Sequence, residues 1–164
     1  MESSMVQIIR GRRVGRLGSL SVGCSAAVLD PTTQEILLVR RADNGRWAVP
    51  GGYMEPGESF TEACAREVRE ETGVHIRVTR LVAVYTSPHA LLEYPGGNRL
   101  QLVVLDFAAQ PTGGALRTSE ETTEVGYFAL ADITEMDLGD FDRQRVAVAF
   151  AARTATLIRD TLTL

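Results

Sequence analysis

The chain has 164 residues, 45% hydrophobic and 23% charged, which fits one globular domain with a sizeable core and calls for no second domain. A formal charge of −4 leaves no basic footprint for a nucleic acid backbone, so polymeric DNA or RNA is not expected as a ligand, whereas a small anion held through metal ions is compatible. All 17 basic side chains are arginine, which excludes a lysine Schiff base, and no apolar run reaches the roughly 18 residues of a membrane helix.

An arginine-rich stretch at residues 10–16 precedes an apolar one at 17–29. Ser19, Ser21, Gly23 and Ser25 interrupt that run, so a core strand is expected rather than a secretion signal, and a soluble cytoplasmic protein follows. Residues 1–20 are expected as an N-terminal extension to a core of about residues 21–158. Strands are predicted at 21–29 and 35–41, joined by the turn residues Asp30, Pro31, Thr32 and Thr33, with a short extended piece at 47–50 leading to Gly51 and Gly52. Cys24 and Cys64 lack metal-ligand spacing and read as buried thiols in a reducing compartment.

A helix is predicted from Ser59, where Glu62 three residues on completes a capping box, to Gly73, which accepts the left-handed terminal conformation. At about 100° per residue, Thr61, Cys64, Ala65, Val68 and Thr72 share one side, the predicted core face. Glu67, Glu70 and Glu71 stand at i, i+3 and i+4, so their carboxylates converge on an adjacent face. Acidic helix faces are commonly just solvated, but like charges at this spacing repel unless a cation sits among them.

Beyond the helix, residues 77–86 and 99–109 read as strands, the second apolar on both faces and therefore central, with Pro95, Gly96, Gly97 and Asn98 turning the chain just before it. A further strand at 125–130 and an amphipathic helix at 141–162 complete the order, which implies a mixed sheet with helices on its faces. The stripe Val146, Val148, Ala149, Phe150, Ala152 and Leu157 suits the protein's own sheet or a partner.

Residues 52–74 read as Gly52, five residues, Glu58, seven residues, then Arg66-Glu67-Val68-Arg69-Glu70-Glu71-Thr72-Gly73-Val74. This resembles the complete signature of the Nudix (MutT-like) hydrolases, without one departure. The resemblance implies a Nudix-type α/β/α sandwich with a mixed sheet. It also implies hydrolysis of the diphosphate bond in a nucleoside diphosphate linked to another group, with Mg²⁺ or Mn²⁺ as cofactor. By the motif, Glu67 and Glu71 are the strongest metal ligands, Glu70 is a third ligand or the general base, and the Gly51 carbonyl completes the metal shell. Arg66 orients the cluster with Glu58 as its partner. Of the acids before the strand at 125–130, Glu121 is expected to add a ligand, with Glu120 and Glu124 as rivals.

Specificity is less legible. Arg40, Trp47, Tyr85 and Phe128 are candidate substrate contacts, although aromatics at strand positions are more often core. A small nucleotide-derived substrate is expected, either a nucleotide sugar or ADP-ribose, or a (d)NTP. The contrasting reading is a non-catalytic Nudix domain that binds a nucleotide-derived ligand, which the intact set of motif carboxylates disfavours. The resemblance also allows a homodimer.

Overall fold

The computed structural model describes residues 6–151 and 154–159. In chain order these form β1 (Gln7–Arg10), a single 3₁₀ turn (Val14–Leu17), β2 (Ser19–Val28), β3 (Ile36–Arg41), β4 (Trp47–Ala48) and β5 (Gly51–Tyr53). Then follow α1 (Phe60–Thr72), β6 (Val74–Thr86), β7 (Ala90–Glu93), β8 (Arg99–Gly114), β9 (Thr122–Phe128), α2 (Leu130–Ile133), α3 (Asp140–Phe150) and β10 (Leu157–Arg159).

The doubly apolar strand β8 is central, as its pattern requires. It pairs parallel to β2 from Ser19↔Leu100 to Val28↔Ala109 and antiparallel to β6 and β7. β1 pairs with β7, β5 with β2, and β10 runs parallel to β6, giving a seven-stranded mixed sheet. A second sheet has the order β4-β3-β9. The turn from β2 to β3 is closed by the Asp30 carboxylate, which accepts the N–H groups of Thr32 and Thr33 at 2.8 and 3.0 Å.

Alternation along the strands sorts the core. Cys24, Ala26 and Val28 of β2 and Leu105, Phe107 and Ala109 of β8 pack with Ala63, Cys64 and Val68 of α1. Ala27, Ile36, Leu38 and Val49 turn the other way, onto Ile133, Leu138 and Val146 at α2 and α3. Helices therefore cover both sides, an α/β/α sandwich. Complete burial of Val68 alone contributes about 1.5–3 kcal/mol. Both cysteines are buried, and burial pushes their thiols up to about 11 for Cys24 and about 12 for Cys64.

Several details correct the sequence expectations. On α1 the buried set is Ala63, Cys64, Val68 and Thr72, while Thr61 is exposed. The helix is rolled so that Glu67 and Glu71 also turn inward, which brings Ala63 rather than Thr61 to the sheet. The predicted helix at 141–162 ends at Phe150, and Leu157–Arg159 instead extends the sheet beside β6, where Thr156 Oγ1 donates to the Leu81 carbonyl at 3.1 Å. β-branched Ile158 suits that strand better than a helix, and so does Thr156 just before it. Val146, Ala149 and Phe150 of the apolar stripe pack on the cluster beneath α3, Val148 and Leu157 on a neighbouring one, and Ala152 lies outside the described residues, as does the predicted helix at 152–153 and 160–162. Among the described residues no helix is long and apolar enough to cross a membrane.

Candidate active site

The helix that carries the acids begins where its capping box is made. Ser59 N–H donates to Glu62 Oε2 at 2.7 Å and Glu62 N–H returns to Ser59 Oγ at 3.4 Å. It ends at Gly73, φ +76°, where a Cβ would stand 2.2 Å from the Ala115 carbonyl oxygen. Both ends are thus set by local chemistry and by the chain packed against them.

Arg66 organises the face between them. Its Nε and Nη2 fork onto Glu58 at 2.6 and 2.9 Å, and Nη2 also donates to the Tyr53 carbonyl at 2.9 Å. Nη1 donates to Glu67 Oε1 at 2.8 Å and to Glu70 Oε2 at 3.2 Å. One guanidinium therefore ties the loop before α1, the strand β5 and two of the helix acids together. Bonding to Arg66 holds the Glu58 carboxyl down at about 2.

Glu67 and Glu71 lie against the glycine turn. A Cβ on Gly52 would sit 2.5 Å from Glu67 Cδ, so glycine alone lets that carboxylate lie on the backbone. Gly51 N–H donates to Glu71 Oε2 at 2.9 Å. Burial raises the pKa of both acids and so disfavours their charged forms; for Glu71 it does so most strongly, aided by Glu67 and Glu121 and opposed by Gly51 N–H and Arg41, to about 7.

The β8–β9 loop closes the other side. Thr122 Oγ1 donates to the Glu71 carbonyl at 3.0 Å and accepts Ser119 N–H at 2.9 Å, while Arg117 N–H caps the Thr72 carbonyl at 2.9 Å. These bonds dock the loop on the C-terminal end of α1. Glu67, Glu70, Glu71, Ser119, Glu120 and Glu121 thereby line one cleft of about 140 Å³. Glu124 turns away and pairs with Arg40 at 2.6 Å. Thr122 and Arg117 carry no motif signature, and nothing in the sequence singled them out.

The donor set fits a hard divalent cation in chemistry and charge: it offers only oxygens, and its acids repel one another. Among the described residues no three acidic, histidine or cysteine side chains stand close enough to enclose an ion alone. That suits Mg²⁺, which keeps several waters and binds through few carboxylates plus substrate phosphates. Glu67, Glu70, Glu71 and Glu121 line the cleft and are the residues that would share such an ion with water and phosphate.

The expected substrate contacts fall elsewhere. Tyr85 is fully buried and meets Phe141 edge-on at 5.1 Å, so it cannot touch a ligand in this conformation. Trp47 and Phe128 pack edge to face at 4.8 Å and line the cluster under α2 and α3. Arg40 is engaged by Glu124 and by the Gly45 carbonyl at 2.8 Å. Its neighbour Arg41, forked onto Asp43 at 2.9 and 2.6 Å, is the one within electrostatic reach of Glu71 and Asp142. Successive strand residues point to opposite faces, so one of the two arginines had to face the cluster. The β-bulge at Arg40/Arg41 obscures which one.

A model of the NUDIX domain family matches residues 20–149. A MutT-like protein of Streptomyces ambofaciens is 37% identical over 119 residues, 73% of this chain and 69% of the relative. An ADP-ribose pyrophosphatase of Methanocaldococcus jannaschii is 34% identical over 115 residues, 68% of this chain and 63% of the relative. The human 8-oxo-dGDP phosphatase NUDT18 is 40% identical over 98 residues, 58% of this chain and 27% of the relative. The chain thus spans less than two thirds of the latter two. Among solved structures, an ADP-ribose pyrophosphatase of Streptococcus suis superposes with a TM-score of 0.65 at 23% identity, covering 84% of this chain and 98% of that one. A MutT protein of Bacillus halodurans also gives 0.65, at 24% identity, covering 85% and 89%. At those identities the likeness is one of fold.

Proposed function

The chain belongs to the Nudix domain family, and on that premise we propose that it is a pyrophosphohydrolase that uses Mg²⁺ or Mn²⁺ to cleave the diphosphate bond of a nucleoside diphosphate derivative. The observation that carries this reading is the gathering of Glu67, Glu70, Glu71 and Glu121 in one cleft, with Arg66 bonded among them. A divalent cation bound there supplies neutralisation of phosphoryl oxygens and a more acidic water.

The chain's own residues divide the remaining work. Glu67 and Glu71, held against the glycine turn, provide fixed anionic oxygens, and Glu121 faces them from the β8–β9 loop. Glu70, with 53% of its side chain exposed and one oxygen bonded to Arg66, is the acid assigned to take a proton from an attacking water. Arg66 keeps Glu67 and Glu70 at their spacing through one guanidinium, and Glu58 keeps Arg66 in place. Arg41, forked onto Asp43 and within electrostatic reach of Glu71, is the arginine we assign to a substrate phosphate.

Support for nucleotide-derived substrates comes from relatives named as an ADP-ribose pyrophosphatase and an 8-oxo-dGDP phosphatase. Product analysis tests the reading: ADP-ribose, a nucleotide sugar, 8-oxo-dGDP and 8-oxo-dGTP are each incubated with Mg²⁺ and resolved by chromatography. A nucleoside monophosphate with a sugar phosphate marks a nucleoside diphosphate linked to a sugar, inorganic phosphate marks 8-oxo-dGDP, and inorganic pyrophosphate marks a triphosphate. Intact substrates throughout would count against the proposal.

A further inference from the structure

A second charged cluster lies buried on the α3 side of the large sheet. Arg145 and Asp106 are 9% and 8% exposed, with Arg145 Nε 2.9 Å from Asp106 Oδ2 and 3.1 Å from Oδ1. Arg145 Nη2 donates to Ser25 Oγ, which donates to Asp106 Oδ1, and Nη1 donates to Asp142 Oδ1 at 3.0 Å. The Phe141 ring lies under the guanidinium at 4.9 Å. Taking such ions from water costs several kcal/mol each, and apolar residues of equal volume commonly stabilise as well. Stability alone therefore does not account for the cluster.

Its connections lead to the glycine turn. Asp142 Oδ1 also accepts Val49 N–H at 3.0 Å, two residues before Gly51. Ser25 is the register partner of Gly51, packed so closely that a Cβ on Gly51 would meet Ser25 Cβ at 2.4 Å. Ala26 N–H, next to Ser25, donates to the Pro50 carbonyl at 3.1 Å. Gly51 N–H then holds Glu71. We propose that the buried Arg145 cluster is a positioning device for residues 49–51: Arg145 fixes Asp142 and Ser25, and these fix the turn whose Gly51 N–H meets Glu71. The inference rests on the reading of the cleft as a divalent cation site.

The test compares wild type with Asp142→Ala, which loses the acceptor for Val49, and Asp142→Asn, which keeps an oxygen there. Hydrogen exchange at the Val49 amide, Mn²⁺ binding by calorimetry and kcat at saturating substrate are measured. Asp142→Ala should expose the Val49 amide and weaken Mn²⁺ binding and kcat by about tenfold to a hundredfold, and Asp142→Asn should restore most of each. An exposed amide with unchanged Mn²⁺ binding and kcat, a Val49 amide still protected in Asp142→Ala, or an Asn variant as impaired as Ala would each overturn the proposal. Should Asp142→Ala not fold, Arg145→Lys, which keeps charge beside Asp106 without the Nη1 bond to Asp142, is read in the same way. A wild-type protein that binds Mn²⁺ yet cleaves no phosphoanhydride would overturn the functional reading, and the exchange and Mn²⁺ comparisons would still decide this one.

Discussion

Glu71 Oε2 accepts the Gly51 N–H at 2.9 Å, so a single carboxylate joins the acidic helix to the glycine turn. That bond offsets only part of what burial and the charges of Glu67 and Glu121 impose, and Glu71 stands at about 7 where an ordinary glutamate stands at 4.5. An acid held above its unfolded value keeps a proton in the folded state that the unfolded chain has released.

The sign for stability follows. In EDTA, folding should be most favoured below pH 4.5 with respect to this group and should weaken as pH rises from 4.5 to about 7. The loss is at most about 3 kcal/mol. Glu71→Gln should remove that slope, and Mg²⁺ should reverse it in wild type. Urea denaturation at several pH values checks this; parallel profiles for wild type and Glu71→Gln would contradict it.

Glu58 has the opposite sign. Its carboxyl is held near 2 by Arg66, so its contribution is present above pH 4.5 and is lost as pH falls from 4.5 to about 2. Arg66→Met should abolish that acid limb and should lower activity by about tenfold to a hundredfold by releasing Glu67 and Glu70. An acid unfolding curve unchanged by the substitution would show that the fork contributes nothing.

Glu121→Gln should shift the Mg²⁺ activation curve to higher concentration, whereas Glu124→Gln should leave it in place because Glu124 is engaged by Arg40. The two metal titrations, run side by side, identify the loop ligand. A shift for Glu124 alone would exchange their roles.

Two glycines should fail differently. Gly52→Ala would bring a Cβ to 2.6 Å from both Glu67 oxygens, atoms at the end of a flexible side chain, so metal binding should suffer before stability does. Gly73→Ala meets a backbone carbonyl at 2.2 Å with φ at +76° and should cost at least about 1–2 kcal/mol of folding. Paired thermal melts and Mn²⁺ titrations separate the cases.

The Tyr85 hydroxyl is buried and has no hydrogen-bond partner among the described residues. Removing an unsatisfied buried hydroxyl relieves a desolvation penalty, so Tyr85→Phe should leave stability unchanged or raised by up to about 1 kcal/mol, with KM unaltered. A raised KM would return Tyr85 to the substrate site.

The sequence was most legible where chemistry is local. Ser59, Glu62 and Gly73 mark the ends of α1 because capping groups act on backbone within one turn, and the spacing of Arg66, Glu67, Glu70 and Glu71 places them on one face. Less legible was whatever depends on distant partners. The stretch at Leu157–Arg159 is a strand because β6 offers an edge, and Tyr85 is buried because Phe141, 56 positions on, covers it. Arg41 was hidden by the one-residue ambiguity of strand facing. Thr122 is buried with its hydroxyl on the Glu71 carbonyl, 51 residues back in the chain, an interaction that no local pattern announces.

The most direct measurement is phosphoanhydride cleavage by wild type and Glu70→Gln on a panel of ADP-ribose, nucleotide sugars and (d)NTPs, each with Mg²⁺, Mn²⁺ or EDTA. The account predicts cleavage of at least one compound by wild type only with metal, a fall of at least about 10²-fold in Glu70→Gln, and unfolding free energies within about 0.5 kcal/mol of each other. Equal turnover in the two proteins, or turnover undiminished in EDTA, would contradict it.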